Sequence, residues 1–433
     1  MKGDVLELED LLNLYDSSMD FHRKRFKRIE ENIRLRSHDH LSETEKAAYE
    51  SQGRQNITIP LIASKINYFV GHQRAYRSEW KVTPKQDPAD EIKASIYSLQ
   101  LADLEERCNM KYVESEVFDS GIGTDCGCYE IYLGEDKSGN KIPCVRSIDP
   151  RDFIYDKNAT DYDRSDGVFM AKMKKDYRYN LRVDYPDAKV DRLSESYYTN
   201  YFNLGKDDFY YYFNSNNPDY DVLTVFTHYN KVVRTFYHVY FNDFANLNGN
   251  IDKVYLGRFK NKKDAEGYLR QQHIPYLDNG LASEMDKGRV VKKTVVCIDK
   301  YVFTVDSLLE HEETELSNFP FVPYYSFSHL DNYWTLTDML KTAQQEFDRL
   351  MAQIDYGLAR DIKQGYEVVV PKLHNSITPV EAMNMLQENG VIPVNEAGAV
   401  TPIATQGINW QWVNVASTMQ GFIEEMAAGG SLS

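Results

Sequence analysis

One long stretch of this chain reads as strand while the sequence on either side of it reads as helix, and that order limits the fold more than any other feature. From Val222 to Tyr325 the text is rich in β-branched and aromatic runs, among them Thr224-Val225-Phe226-Thr227-His228-Tyr229, Thr235-Phe236-Tyr237-His238-Val239-Tyr240 and Val290 to Val296. A helical pattern from Lys263 to Gln272 interrupts them. Strands in succession, bounded by helical regions, predict an α+β protein in which residues 222–325 form a module inserted between helices.

The flanks carry their own periodicities. Tyr15, Met19, Phe26, Ile29 and Ile33 fall near helical spacing, and Ser42 with Glu45 makes a capping box for a second helix. The basic run His22 to Arg28 reads as a solvated helix face balanced by Glu30 and Glu31. A helix after Asn56-Ile57-Thr58 admits Pro60 in its first turn and aligns Ile59, Ile62, Ile66 and Phe69. Another runs from Asp87-Pro88 to about Ser120, with Ile92, Ile96, Leu99, Cys108 and Val117 apolar, and these two helices are expected to pack together. From Cys128 the period becomes two: Tyr129 to Leu133 is a strand, Lys137-Ser138-Gly139-Asn140 a turn, and Ile142 to Ile148 its partner.

Downstream, Thr335 and Asp338 open the longest helical pattern in the chain. Leu336, Leu340, Phe347, Leu350, Met351, Ile354 and Leu358 give it one broad apolar face, and Lys341, Gln344, Asp348 and Gln353 a polar one. Continuous to Lys363, it is about 43 Å long. Glu367 to Pro371 and Val391 to Val394 then read as strands, and Thr378 to Glu388 and Trp410 to Met426 as helices.

With 433 residues, 42% apolar and 27% charged, the chain has material for two or three folded domains. Its 50 Lys and Arg against 66 Asp and Glu give a net charge of −16, which argues against a protein that wraps nucleic acid in a pervasive basic surface. No run approaches the ~18 apolar residues of a membrane helix, so no membrane partner is expected, and the N-terminal residues lack a secretion signal. Five cysteines, an odd number, suit reduced thiols. The 32 tyrosines suit large contact surfaces, a richness that sugar-binding proteins share.

No catalytic constellation emerges. Asp161 to Gly167 resembles the start of a calcium loop but has Asp166 and Lys172 where Gly and Glu are required, so an Asx-rich turn is the better reading. Cys126-Gly127-Cys128 lacks zinc spacing and reads as two buried thiols at a strand start. Gly121 to Gly127 follows a helix and leads to a strand, the reverse of a phosphate-binding loop, and reads as a sharp turn. No enzyme activity, cofactor or metal is expected, which favours a binding or structural role.

The order of motifs resembles the portal protein of tailed bacteriophages, in the type found in short-tailed phages. The resemblance rests on Asn56 to Ile62, Phe69-Val70-Gly71-His72-Gln73-Arg74, Trp80 to Pro84, Gly121 to Thr124, and above all Ile148-Asp149-Pro150-Arg151-Asp152-Phe153-Ile154-Tyr155-Asp156-Lys157-Asn158-Ala159 followed by Asp163-Arg164-Ser165-Asp166-Gly167. Tyr185-Pro186 and the proline-bounded Phe319 to Tyr325 extend it, so that it covers roughly residues 50–425. In the long helix Gln344 and Gln345 match the family, whereas Phe347-Asp348 stands where the family often has Asn.

The resemblance implies a portal-like subunit with this domain order: an N-terminal helical segment (1–50), a wing of helices and β-hairpins (51–200), a segment leading into the stem with an α+β clip module (201–330), a long stem helix (331–365), and tunnel-side strands with a returning wing helix, cut short at the C-terminus (366–433). It further implies a homo-oligomeric ring of twelve at a capsid vertex of the virion, assembled in the host cytoplasm. Duplex DNA passes through the channel, and terminase large subunit, capsid protein and tail adaptor protein are partners. Channel-facing positions are then expected at Lys341, Gln344, Asp348 and Gln353, and at Lys363 and Gln364 at the helix end. Two rival readings stand beside this one: a Tyr-rich carbohydrate-binding protein or glycoside hydrolase, and another capsid or tail adaptor protein.

Overall fold

A computed structural model describes residues 6–41, 43–52, 54–55, 57–77, 80–84, 88–135, 139–186, 188, 222–243, 252–272, 288–314, 316–330, 332–362, 366–374, 377–402 and 410–428. Ser42, Lys137, Ser138, Lys363 and Gln364 therefore lie outside the described residues. The chain divides into two compact units, one from 1–29, 78–121 and 125–333, the other from 30–77, 122–124 and 334–433.

The first unit is built on a six-stranded antiparallel sheet. Its strands are β3 (Phe153–Tyr155), β4 (Phe169–Tyr177), β5 (Val222–Asp243), β7 (Gly288–Phe303) and β8 (Leu308–Glu313) in that order, with β6 (Asp252–Phe259) also on β5. Strand β5 changes partners along its length. Residues 222–230 pair with β4, and Tyr237 to Asp243 pair with β6, while β7 runs beside both halves. The strand-rich stretch after Val222 thus completes a sheet begun at Phe153 instead of forming one of its own. Its far end has a small core of its own: helix α7 (Lys262–Gln271) buries Ala265 and Leu269 against Val239.

Helix α1 (Leu8–Arg36) lays Leu11, Leu12, Tyr15, Met19 and Phe26 into the interior, as their spacing predicts. Tyr15 meets the rings of Phe169, Phe226 and Phe303 at 5.1–5.7 Å. A three-stranded sheet stands beside this core, with β1 (Gly127–Glu135) central between β2 (Lys141–Ile148) and β9 (Phe321–Tyr324). Cys126 and Cys128 are both buried at the start of β1, and a Cβ at Gly127 would sit 2.0 Å from the Val117 carbonyl, so only glycine makes this turn. Helix α6 (Arg178–Asp184) closes the sheet edge with Leu181, and β10 (Phe327–His329) pairs with β11 (Asn332–Trp334).

Two sequence expectations are corrected here. The helix expected from Asp87 to Ser120 is two helices, α4 (Pro88–Arg107) and α5 (Met110–Gly123), broken where Asn109 adopts a positive φ of 50°. Basic residues of α1 are not all solvated: His22 and Arg25 are buried, because the helix turns that side toward the Asp125 carboxylate just before β1 and toward carbonyl groups of Pro150 and β3.

The second unit is helical. Helices α2 (Glu43–Ser51), α3 (Leu61–Ala75), α8 (Leu336–Ile362), α9 (Pro379–Asn389) and α10 (Trp410–Ala428) account for most of it. The main partners of α3 are α8 and α10, and the helix after Asp87, expected to pair with it, reaches it at the end of α5, where Gly123 faces Ile66. Phe347 and Leu350 of α8 bury against Ala416 of α10. Strands β12 (Tyr366–Val368) and β13 (Val400–Pro402) pair, while Val391 to Val394, expected as a strand, contributes one bridge, Leu373 to Val394. Thr378 and Glu381 form the capping box of α9.

Candidate functional site

The long helix α8 is where a channel surface is expected, and its start is set locally. The Thr335 backbone N–H and Oγ1 both donate to Asp338 Oδ2, and the Asp338 N–H donates back to Thr335 Oγ1. Twenty-seven residues at 1.5 Å each make the helix about 40 Å long.

The expected polar face divides. Gln344 is fully buried. Its Nε2 donates to the Ile59 carbonyl at 2.9 Å and to Asp348 Oδ1 at 2.9 Å, and its Oε1 accepts from the Ile62 N–H at 3.3 Å. It thereby satisfies one of the backbone N–H groups that the first turn of α3 leaves without a helical partner. Asp348, also buried, takes His40 Nδ1 at 2.5 Å, while His40 Nε2 donates to the Ser37 carbonyl at 2.9 Å. Both ring nitrogens are thereby engaged, which fixes the imidazole between α8 and the segment after α1. Gln344 and Asp348 are internal fasteners of this unit, and the expectation that they face a channel is corrected. The signal was present in the sequence. Position 344 lies four residues after Leu340 and three before Phe347, within the apolar stripe.

Lys341 is half-buried and bonds Glu31 of α1, and Gln353 is half-buried. The exposed polar side chains of α8 include Thr342, Gln345 and Arg349, none of them expected as a channel position, and Met339, Tyr356 and Leu358 are exposed beside them. Arg349 pairs with Glu346 one turn back.

A second apolar surface is exposed on α4. Ile92, Ile96 and Leu99 recur at i, i+4 and i+7 and are 68%, 50% and 70% exposed, whereas Ala94 is the buried contact of this stretch. A helix with an apolar row turned to water is a contact surface awaiting a partner.

Comparison with known protein families supplies what these surfaces belong to. A model of the phage P22-like portal protein family matches residues 12–430, spanning both compact units. The chain belongs to that family. No curated protein matches it. This portal protein is a vertex subunit for DNA packaging, a structural role, and its family implies a homo-oligomeric ring at the virion's capsid vertex with capsid, terminase and DNA as partners. No helix among the described residues is long and apolar enough to cross a membrane.

Proposed function

We propose that twelve copies of this portal subunit close into the ring through which duplex DNA enters and leaves the capsid, with a tail adaptor docking on the same ring after packaging. The family match over residues 12–430 carries this reading. In it, residues 1–50 are an N-terminal helical arm, 51–200 the wing, 331–365 the stem helix, and 366–433 the tunnel-side strands and a returning wing helix. The clip, assigned to 201–330, narrows to the far half of the β5–β7 hairpin with β6 and α7, the part with its own small core. That end faces terminase or the adaptor. The ring assembles in the host cytoplasm and does no chemistry itself, the energy for packaging coming from a separate ATPase.

Lys341, Gln353, Lys363 and Gln364 remain the proposed channel positions, joined by Thr342, Gln345 and Arg349 on the open side of α8. The exposed α4 row supports closure, because a head-to-tail ring needs an apolar face on each subunit for its neighbour to cover. Electron microscopy with light scattering on the purified chain tests the proposal. Twelve copies of 50.3 kDa give rings of about 604 kDa with a central hole. Open filaments, or a monomer at every concentration, would overturn it.

A further inference from the structure

A cavity of about 450 Å³ opens in the first unit between α1, the loop after β3 and β11. Five cationic side chains line it, Lys24, Arg25, Arg28, Lys157 and Arg164, and no acidic one does. Behind the wall, Asp125 bonds both Arg25 and Arg28, so one carboxylate serves two guanidiniums. Lys24, Lys157 and Arg164 make no ion pair among the described residues; Lys157 donates to the Ser17 carbonyl at 2.6 Å. The cavity wall itself is thus cationic, while a carboxylate of the loop after β3 in contact with it, Asp166, is taken up by the Thr160 N–H and hydroxyl.

The cations are held in place. Arg164 adopts a positive φ of 58°, a conformation a long side chain enters only when its surroundings impose it. Its guanidinium lies 5.1–5.5 Å from the ring centres of Tyr155, Tyr325 and Tyr333, and it donates to the Ala159 carbonyl at 2.8 Å. Tyr155 and Tyr333 bond each other through their hydroxyls at 3.0 Å. Asp125 offsets two of the five cations, and the three tyrosine rings offset Arg164, which leaves Lys24 and Lys157 without an anionic partner among the described residues. At the mouth, Lys24 is exposed, and Phe21, packed edge-on against Tyr155 and His22, is still 38% exposed, giving an ammonium beside a partly open ring.

We propose that this cavity binds a phosphate group, with the ring system attached to that phosphate resting on Phe21. The fixed guanidiniums of Arg28 and Arg164 and the exposed ammoniums of Lys24 and Lys157, around a space too large for a lone carboxylate, suit a phosphate's charge and its several acceptor oxygens. An aromatic side chain beside them suits a nucleobase. The phosphate comes from a free nucleotide or from the 5′ end of a nucleic acid strand.

Calorimetric titration of the full chain at about 50 mM salt, where counterion competition is low, tests this with pyrophosphate, a deoxynucleoside diphosphate, and a short single strand with and without a 5′-phosphate. The expected result is saturable binding of the phosphorylated probes, weakened at least about tenfold in the double variant Lys24→Gln, Lys157→Gln. Both changed side chains sit at the surface, and an unaltered melting curve confirms that the variant folds. Binding of the diphosphate without competition from the strand assigns the site to free nucleotides; competition that needs the 5′-phosphate assigns it to strand ends. Absence of saturable binding, equal affinity in the double variant, or tighter binding of an acidic peptide than of any phosphorylated probe would overturn the proposal.

Discussion

Arg25 and Asp125 form a buried ion pair, with the half-buried Arg28 on the same carboxylate. Arg25 Nε donates to Asp125 at 2.8 Å, and its other nitrogens reach the Phe153 and Pro150 carbonyls at 2.6 and 3.0 Å. Burial opposes ionisation of Asp125, but the two guanidiniums outweigh it and hold the carboxyl below its usual range. Its contribution is therefore complete above the unfolded value and is lost as pH falls through the lower folded one. Asp125→Asn leaves the buried Arg25 charge uncompensated and is expected to cost about 3–5 kcal/mol, measured by urea unfolding. Two buried histidines add acid sensitivity of the same sign at higher pH. Burial lowers His22 and His228 to about 3, so between that value and the unfolded ~6.5 the unfolded chain binds two more protons. Stability falls with falling pH by about 1.4 kcal/mol per pH unit for each. Asp152 offsets one of them, since burial, aided by Asp149, lifts its carboxyl to about 7 and the folded chain takes up its proton first. Replacing His228 by Phe, which suits the ring contacts with Tyr15 and Phe169, should flatten the stability slope between about pH 4 and 6 by about 1.4 kcal/mol per unit. An unchanged slope would show that His228 titrates normally in the fold.

At the level of elements, two helices with apolar patterns meet different fates. Leu336, Leu340, Phe347 and Leu350 of α8 are buried, whereas Ile92, Ile96 and Leu99 of α4 face water. Periodicity identifies a face that wants burial; whether the same chain or another copy supplies the partner is decided by topology. Ile96→Glu with Leu99→Glu should leave the melting curve of the isolated subunit within about 0.5 kcal/mol of the original, as for other surface changes. Sedimentation of the same variant should show ring assembly abolished or shifted to much higher concentration. Rings that form as readily as before would remove α4 from the subunit contact. Strands β1, β2, β5 and β7 of the two main sheets were legible from alternation and β-branched runs, and the cap of α8 from Thr335 and Asp338, three residues apart. The break at Asn109 was not, because it depends on the path the chain must take between two helices and carries no glycine or proline to mark it.

The whole molecule is acidic yet conducts an acidic polymer. With a net charge of −16, the subunit should bind duplex DNA weakly, and its affinity should fall gently with salt, with a slope equivalent to no more than about two phosphate contacts per chain. A filter-binding series across salt concentrations measures this, and a steep slope would point to a basic lumen instead. The sequence by itself determined the order of the main strands and helices, the start of the long helix and the motif order shared with portal proteins. All of these rest on interactions between residues a few positions apart, or on a linear pattern. Only the tertiary structure decided which polar side chains are interior. Arg25 meets a carboxylate 100 positions away, and Gln344 a carbonyl 285 positions away. A buried polar group is tolerable only where such a partner is delivered, and delivery depends on how distant segments cross, which no local pattern encodes.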